Sequence, residues 1–264
     1  MLKTPGLDWR ISLAQECWFY FRTCRNWRKV IQARLYGAPL ARFEMRGSVV
    51  VGFPESPPWQ IFQEIWRNQV YTRRYPREWG NPRTIVDIGA NIGVFSLYAA
   101  RRWHQARILA FEPAPDNFHW LEKNAQLSSA WQITCRPVAV AGKSGQADFY
   151  LKEESGWHSL IGDGAKSSIT VQTTTLDAVL DETGATAIDL LKLDCEGAEY
   201  NVLSGRESLL ARTVRFVAME YHEVSGHTVD ELTKLFASVG FHTESIPEPR
   251  WRTGMLYATN RSTF

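Results

Sequence analysis

The segment that most constrains this chain is Thr84-Ile85-Val86-Asp87-Ile88-Gly89-Ala90-Asn91-Ile92-Gly93. A short apolar run ends in a turn with two glycines, and helix-spaced apolar residues follow from Val94 to Arg102. Glycine lets the backbone turn sharply and lets a ligand approach closely. The helix that opens near Gly93 presents unpaired N–H groups to that ligand. A strand, a glycine turn and a helix in this order make the unit from which open parallel sheets are built, and ligands bind beyond the carboxyl ends of their strands.

The rest of the chain repeats the alternation. Strands are expected at Ile85–Ile88, Arg107–Phe111, Gln132–Cys135, Val138–Val140, Ile188–Leu193 and Val214–Met219. Helices are expected at Val94–Arg102, Asn117–Leu127, Leu176–Leu180, Tyr200–Leu210 and Val229–Val239. This order predicts an α/β fold with a doubly wound, mostly parallel sheet. Ala147–Leu151 with Ile169–Thr174 reads as an inserted antiparallel pair, and Phe241–Ile246 with Met255–Thr259 as a closing hairpin. Upstream, Arg42 to Gly52 reads as a hairpin around Gly47-Ser48, and Ile61 to Tyr71 as a helix. The domain boundary is placed near Ile61: residues 1–60 as a helical and hairpin extension, residues 61–264 as the main domain.

Composition narrows the function classes. With 44% hydrophobic and 22% charged residues over 264 positions, the chain can bury a good core. A formal net charge of +2 gives no reason to expect nucleic acid as a partner. Cys17, Cys24, Cys135 and Cys195 form no C-x-x-C pair, so buried free thiols are expected rather than a zinc cluster. No apolar run reaches the roughly 20 residues of a membrane helix, and no signal peptide is recognisable, so a cytoplasmic location is the default. The segment from Leu7 to about Leu35 mixes Trp9, Trp18, Phe19, Tyr20, Phe21 and Trp27 with several arginines. It is expected as one or two helices whose aromatics pack on the main domain, with a membrane surface, a lipid-linked substrate or a second subunit as the sharper alternative.

The glycine turn lacks the G-x-G-x-x-G of dinucleotide sites, and an acidic residue, Asp87, leads it. A carboxylate there favours a cationic ligand over a pyrophosphate. Glu112, at the end of the second strand, is placed to accept hydrogen bonds from two ribose hydroxyls. Pro113 fixes the exit from that strand, and Asn117 is the expected cap of the next helix.

With these pieces in place the chain resembles the FkbM family of methyltransferases. The resemblance rests on Thr84 to Gly93, Phe111-Glu112-Pro113, Thr175-Leu176-Asp177 and Leu191-Lys192-Leu193-Asp194-Cys195-Glu196-Gly197-Ala198-Glu199, and it covers about Ile61 to Phe241. It implies a Rossmann-like, seven-stranded methyltransferase sheet and an S-adenosylmethionine-dependent O-methyltransferase acting on a hydroxyl of a sugar, glycan or secondary metabolite. By the same resemblance Asp87, Gly89, Asn91, Gly93, Glu112 and Pro113 line the cofactor site, with Val138 and Ala139 near the adenine.

Asp194 and Glu196 end one apolar strand, and Glu220-Tyr221-His222 end the next. Parallel strands bring such ends together, so these groups should converge on one crevice. An alcohol needs a base to become a nucleophile, and His222 has the most suitable ordinary pKa. Asp194 and Glu196 are read as groups that orient the substrate or bind an ion, either one being the alternative base if burial raises its pKa, and a magnesium ion there would acidify a diol. Glu199 is expected to cap or pair along its helix, and His158 is a further loop candidate. Two competing classes are a nucleotide-dependent oxidoreductase and a non-catalytic binding module that keeps the fold.

Overall fold

The computed structural model describes residues 13–151, 160, 167–224, 226–248 and 252–261. His158 lies outside them, as do the first residues of the aromatic N-terminal segment. The order of elements begins with helices α1 (Leu13–Thr23) and α2 (Trp27–Tyr36) and the hairpin of strands β1 (Arg42–Glu44) and β2 (Val50–Gly52). Then follow α3 (Trp59–Phe62), β3 (Thr84–Ile88), α4 (Val94–Arg102), β4 (Arg107–Phe111), α5 (Pro115–Leu127), β5 (Ile133–Arg136) and β6 (Ala139–Val140). The chain continues through β7 (Gly145–Leu151), β8 (Ser167–Thr174), α6 (Leu176–Thr183), β9 (Leu190–Leu193), α7 (Glu199–Leu203) and α8 (Glu207–Thr213). It closes with β10 (Phe216–His222), α9 (Val229–Ser238), β11 (Phe241–Glu248) and β12 (Thr253–Asn260).

Seven strands form the central sheet in the order β11-β12-β10-β9-β3-β4-β5. β5, β4, β3, β9 and β10 run parallel, and β12 runs antiparallel between β10 and β11. Every residue of β3 and of β9 is buried, as continuous apolar runs flanked on both faces by helices should be. From β3 the chain builds outward to β4 and β5, then returns to β9 on the other side of β3. The gap between β3 and β9 is therefore the topological switch point, where a crevice opens.

Two apolar clusters sandwich the sheet. One carries Val86, Leu109, Leu191, Val217 and Phe236. The other joins Ile85, Phe95, Leu97 and Ile108 of the sheet side to Tyr20, Val30, Phe43, Val51 and Phe62. Residues on both sides of the boundary expected near Ile61 thus share one core. Asn124 of α5 ties them further: its amide accepts from Gly52 N (2.7 Å) and donates to Gly52 O (3.0 Å) and Ile92 O (2.8 Å).

Three local expectations need correction. The helix expected from Ile61 to Tyr71 starts at Trp59 and is wound as a π turn over Gln63–Arg67. The helix expected over Tyr200–Leu210 is two helices, because Gly205 at φ +75° breaks it. Asn117 does not cap α5; the helix opens with Pro115, whose fixed φ suits a first turn. Of the four free cysteines only Cys24 is buried, and the others are half-buried.

Candidate active site

The crevice begins with a backbone contact. Gly89 sits at φ +74°, and a Cβ built there would lie 1.7 Å from the Asp194 carbonyl oxygen. Only glycine lets the ends of β3 and β9 touch, with Asp194 N donating to Ile88 O at 3.1 Å. The turn is held from the other side too: Gly89 N and Ala90 N both donate to Phe111 O. Asn91 adopts φ +52° and its N–H donates to Glu112 Oε2 at 2.8 Å. Gly93, at φ +88°, precedes α4 and leaves room for Leu121. Glu112 Oε1 accepts from Ala114 N at 2.9 Å. Burial pushes the Glu112 carboxyl up to about 7, against these N–H bonds, which favour its charge.

Asp87 is fully buried beneath this turn. Its Oδ2 accepts from Ser96 Oγ at 2.6 Å, and its Oδ1 lies 3.1 Å from Lys192 Nζ. Lys192 is the one cation in the apolar strand β9, and Nζ also donates to Gly89 O at 2.6 Å. Burial works against its charge, but Asp87 and Asp194 outweigh this and raise its pKa. Asp87 therefore spends its charge on Lys192, and the pair braces the turn from below.

At the mouth, Asp194, Glu196 and His222 bring ligating atoms within 4.8 Å of one another. His222 Nε2 lies 3.3 Å from Glu196 Oε2, and His222 Nδ1 lies 3.2 Å from Glu199 Oε1. Glu199 is fully buried, and the same Oε1 accepts from Cys195 N and Gly197 N. A carboxylate fixed by two backbone donors, with Nδ1 at 3.2 Å, orients the His222 ring so that Nε2 points toward Glu196. Burial disfavours a charged His222, but Glu199, Glu196 and Glu220 reverse this and lift its pKa to about 10. Tyr71 OH donates to Asp194 Oδ2 at 2.9 Å. Burial, reinforced by Asp194, raises the Glu220 carboxyl well above the usual range. Burial takes Glu64 to about 7, where Gln60 opposes it and Asp194 adds to it.

The structure thus brings Asp194, Glu196, Glu220 and His222 into one crevice, beside the turn of Gly89, Asn91 and Gly93 and the carboxylate of Glu112. Pro113 is half-buried next to Glu112. Val138 packs at the edge of the core, and Ala139 is buried against Ala114, Phe149 and Val171. Lys192, Glu199 and Tyr71 are site residues that sequence reasoning did not assign. A lysine inside Leu190-Leu191-Lys192-Leu193 was the available signal, since a buried cation demands a buried partner.

Residues 87–243 match the methyltransferase FkbM domain. That span is more than half of the chain, and it holds the turn, Glu112, Asp194, Glu196, Glu220 and His222. The chain belongs to the FkbM methyltransferase family. It is a methyltransferase that uses S-adenosylmethionine. It is 33% identical over 199 residues to Methyltransferase sdnD of Sordaria araneosa, covering 63% of this chain and 75% of that protein. It is 28% identical over 193 residues to Hexuronic acid methyltransferase AglP of Haloferax volcanii, covering 70% and 77%. It is 26% identical over 219 residues to 31-O-demethyl-FK506 methyltransferase FkbM of Streptomyces tacrolimicus, covering 72% and 84%. The FkbM family match removes the oxidoreductase alternative. Among the described residues no helix is long and apolar enough to cross a membrane.

Proposed function

We propose that this FkbM-family enzyme methylates a hydroxyl oxygen of a sugar or a similarly hydroxylated metabolite, with His222 as the base. The observation that carries this reading is the histidine held by the buried Glu199 while Nε2 faces Asp194 and Glu196 across the crevice. Two relatives are named as a hexuronic acid methyltransferase and a 31-O-demethyl-FK506 methyltransferase, which supports an oxygen acceptor here.

The residues fit the methyl donor. The Gly89 turn ends β3 beside Glu112 at the end of β4, where the carboxyl of Glu112 is placed for ribose hydroxyls. The crevice sets the carboxylates of Asp194, Glu196 and Glu199 against His222, with Lys192 already paired to Asp87, an excess that suits a cationic ligand. S-adenosylmethionine supplies, when bound, an electrophilic methyl group whose bond to sulfur breaks with its electrons left on sulfur. The protein's part is to orient the acceptor and take its proton. Asp194 and Glu196 hold neighbouring hydroxyls, and His222 Nε2 receives the proton that the reacting hydroxyl loses. A cation in the crevice opposes the imidazolium and lowers its pKa, which populates the base form.

A second reading rests on the same three residues. Two carboxylates and an imidazole within 4.8 Å make a donor set suited to a divalent cation such as magnesium, which would acidify a diol. Labelled methyl donor offered with a panel of sugars, uronic acids and other hydroxylated metabolites tests both. Transfer to oxygen is expected, falling by about 10²-fold or more in His222→Gln. Label on nitrogen or carbon, or full activity of His222→Gln, contradicts the first reading. Activity lost to a chelator and restored by magnesium, with restoration abolished in Glu196→Gln, selects the second.

A further inference from the structure

The methyltransferase reading makes no use of the outer face of the α1–α2 hairpin. The inner face is committed: Tyr20, Cys24, Val30 and Ala33 are buried in the core. The outer face carries large aromatics with no such cover. Trp18 is 58% exposed and Phe21 40%. Their rings stack with centroids 5.5 Å apart, and Phe21 meets Trp27 edge-on at 5.3 Å, so the three form one contiguous patch.

Cations cover this patch and surround it. The guanidinium of Arg22 lies over Trp18 at 5.9 Å, that of Arg28 over Trp27 at 5.1 Å and that of Arg46 over Phe21 at 5.9 Å. Arg25 and Lys29 are exposed alongside. The acids of the segment are engaged elsewhere: Glu16 pairs with Arg34 and accepts from Gln63, and Glu44 pairs with Arg42. From Leu13 to Arg46 there are seven basic and two acidic residues, although the whole chain has a net charge of only +2. The positive charge of the protein is therefore concentrated on the hairpin that exposes the rings.

Exposed aromatic side chains ringed by arginine and lysine on short amphipathic helices are the arrangement that seats a helix at the boundary of lipid headgroups and acyl chains. At 11 and 10 residues the two helices are about 15 Å long, far too short to span a bilayer but suited to lying on one. The rings pack on one another across a helical hairpin rather than lining a charged groove, which argues against single-stranded nucleic acid as the occupant. We propose that this face docks on an anionic phospholipid surface, with Trp18 and Phe21 entering the headgroup boundary and Arg22, Arg25, Arg28, Lys29 and Arg46 facing lipid phosphates.

Flotation of the full chain with phosphatidylcholine vesicles, and with vesicles that also contain phosphatidylglycerol, tests this without any methyl acceptor. The protein is expected to float with the anionic vesicles only and to be released by high salt. Arg25→Gln and Arg28→Gln are each expected to weaken binding about fivefold. Trp18→Ser with Phe21→Ser is expected to abolish flotation while leaving the affinity for S-adenosylhomocysteine unchanged, since neither ring is in the core. That affinity also separates failure of docking from failure of the methyltransferase reading. Wild type that stays down with both vesicles overturns the proposal. So does flotation that survives all of these substitutions, or capture by single-stranded nucleic acid in place of vesicles.

Discussion

Replacing Gly89 with alanine tests the contact on which the crevice is built. The residue sits at φ +74°, a conformation that costs an L side chain about 1–2 kcal/mol. The added Cβ would lie 1.7 Å from the Asp194 carbonyl oxygen, where an unstrained contact needs more than 3.4 Å. The end of β9 must then retreat from β3 by well over an ångström. That retreat stretches the bond from Asp194 N to Ile88 O, now 3.1 Å, and the bond from Lys192 Nζ to Gly89 O, now 2.6 Å. One neutral and one charge-assisted hydrogen bond together contribute about 2–4 kcal/mol. The sum is about 3–6 kcal/mol, a large fraction of the roughly 5–15 kcal/mol that stabilises a typical domain. Gly184→Ala is the matched control: it has φ +59°, but nothing lies within 4 Å of its Cβ, so it shows the conformational cost alone. Urea unfolding of both variants, at constant m-value, gives the difference directly. If Gly89→Ala is no less stable than Gly184→Ala, the close approach of β3 and β9 is refuted.

Further predictions concern the charges under and around the turn. Lys192→Met leaves Asp87 buried without its partner and should destabilise by about 3–5 kcal/mol, while Asp87→Asn combined with Lys192→Met recovers much of the loss; additive single effects in a denaturation cycle would show that the pair is not coupled. Glu199→Gln removes the first charge that raises His222, so the His222 titration followed by NMR should move from about 10 toward its ordinary 6.5; an unmoved titration would dismiss Glu199 as its positioning group. Glu112 is raised by burial to about 7, so it contributes stability that is full below its ordinary pKa of 4.5 and is lost as pH rises through 7. Without added cofactor the unfolding free energy should therefore climb as pH falls from 7 toward 4.5, by on the order of 3 kcal/mol from this group, with the thermal midpoint rising alongside, and Glu112→Gln should flatten the slope. A midpoint that falls over that range, with Glu112→Gln behaving as wild type, would contradict the burial argument.

The parts of the fold that sequence predicts well are those fixed by local rules. Val94–Arg102 and Arg107–Phe111 are observed as expected because short apolar runs there are punctuated by glycine and by charged residues. The glycine turn is legible because only glycine tolerates both the positive φ and the close backbone at position 89. Pairings set by the tertiary fold are another matter. Asp87 looks like a ligand-facing carboxylate in sequence, yet its partner Lys192 lies more than a hundred positions away and meets it only because β3 and β9 are neighbours. Glu199 looks like a helix-pairing residue until β10 brings His222 to its side. The π turn after Phe62 buries Ile65 and Trp66 in the core, and no spacing rule in the segment encodes it.

The central claim is that the crevice between β3, β4, β9 and β10 holds the methyl donor. Isothermal titration of the purified protein with S-adenosylhomocysteine, repeated with Glu112→Ala, tests it most directly. Wild type should bind saturably and the variant markedly more weakly, at unchanged fold. No heat from wild type up to millimolar ligand, or equal affinity in the variant, would contradict it.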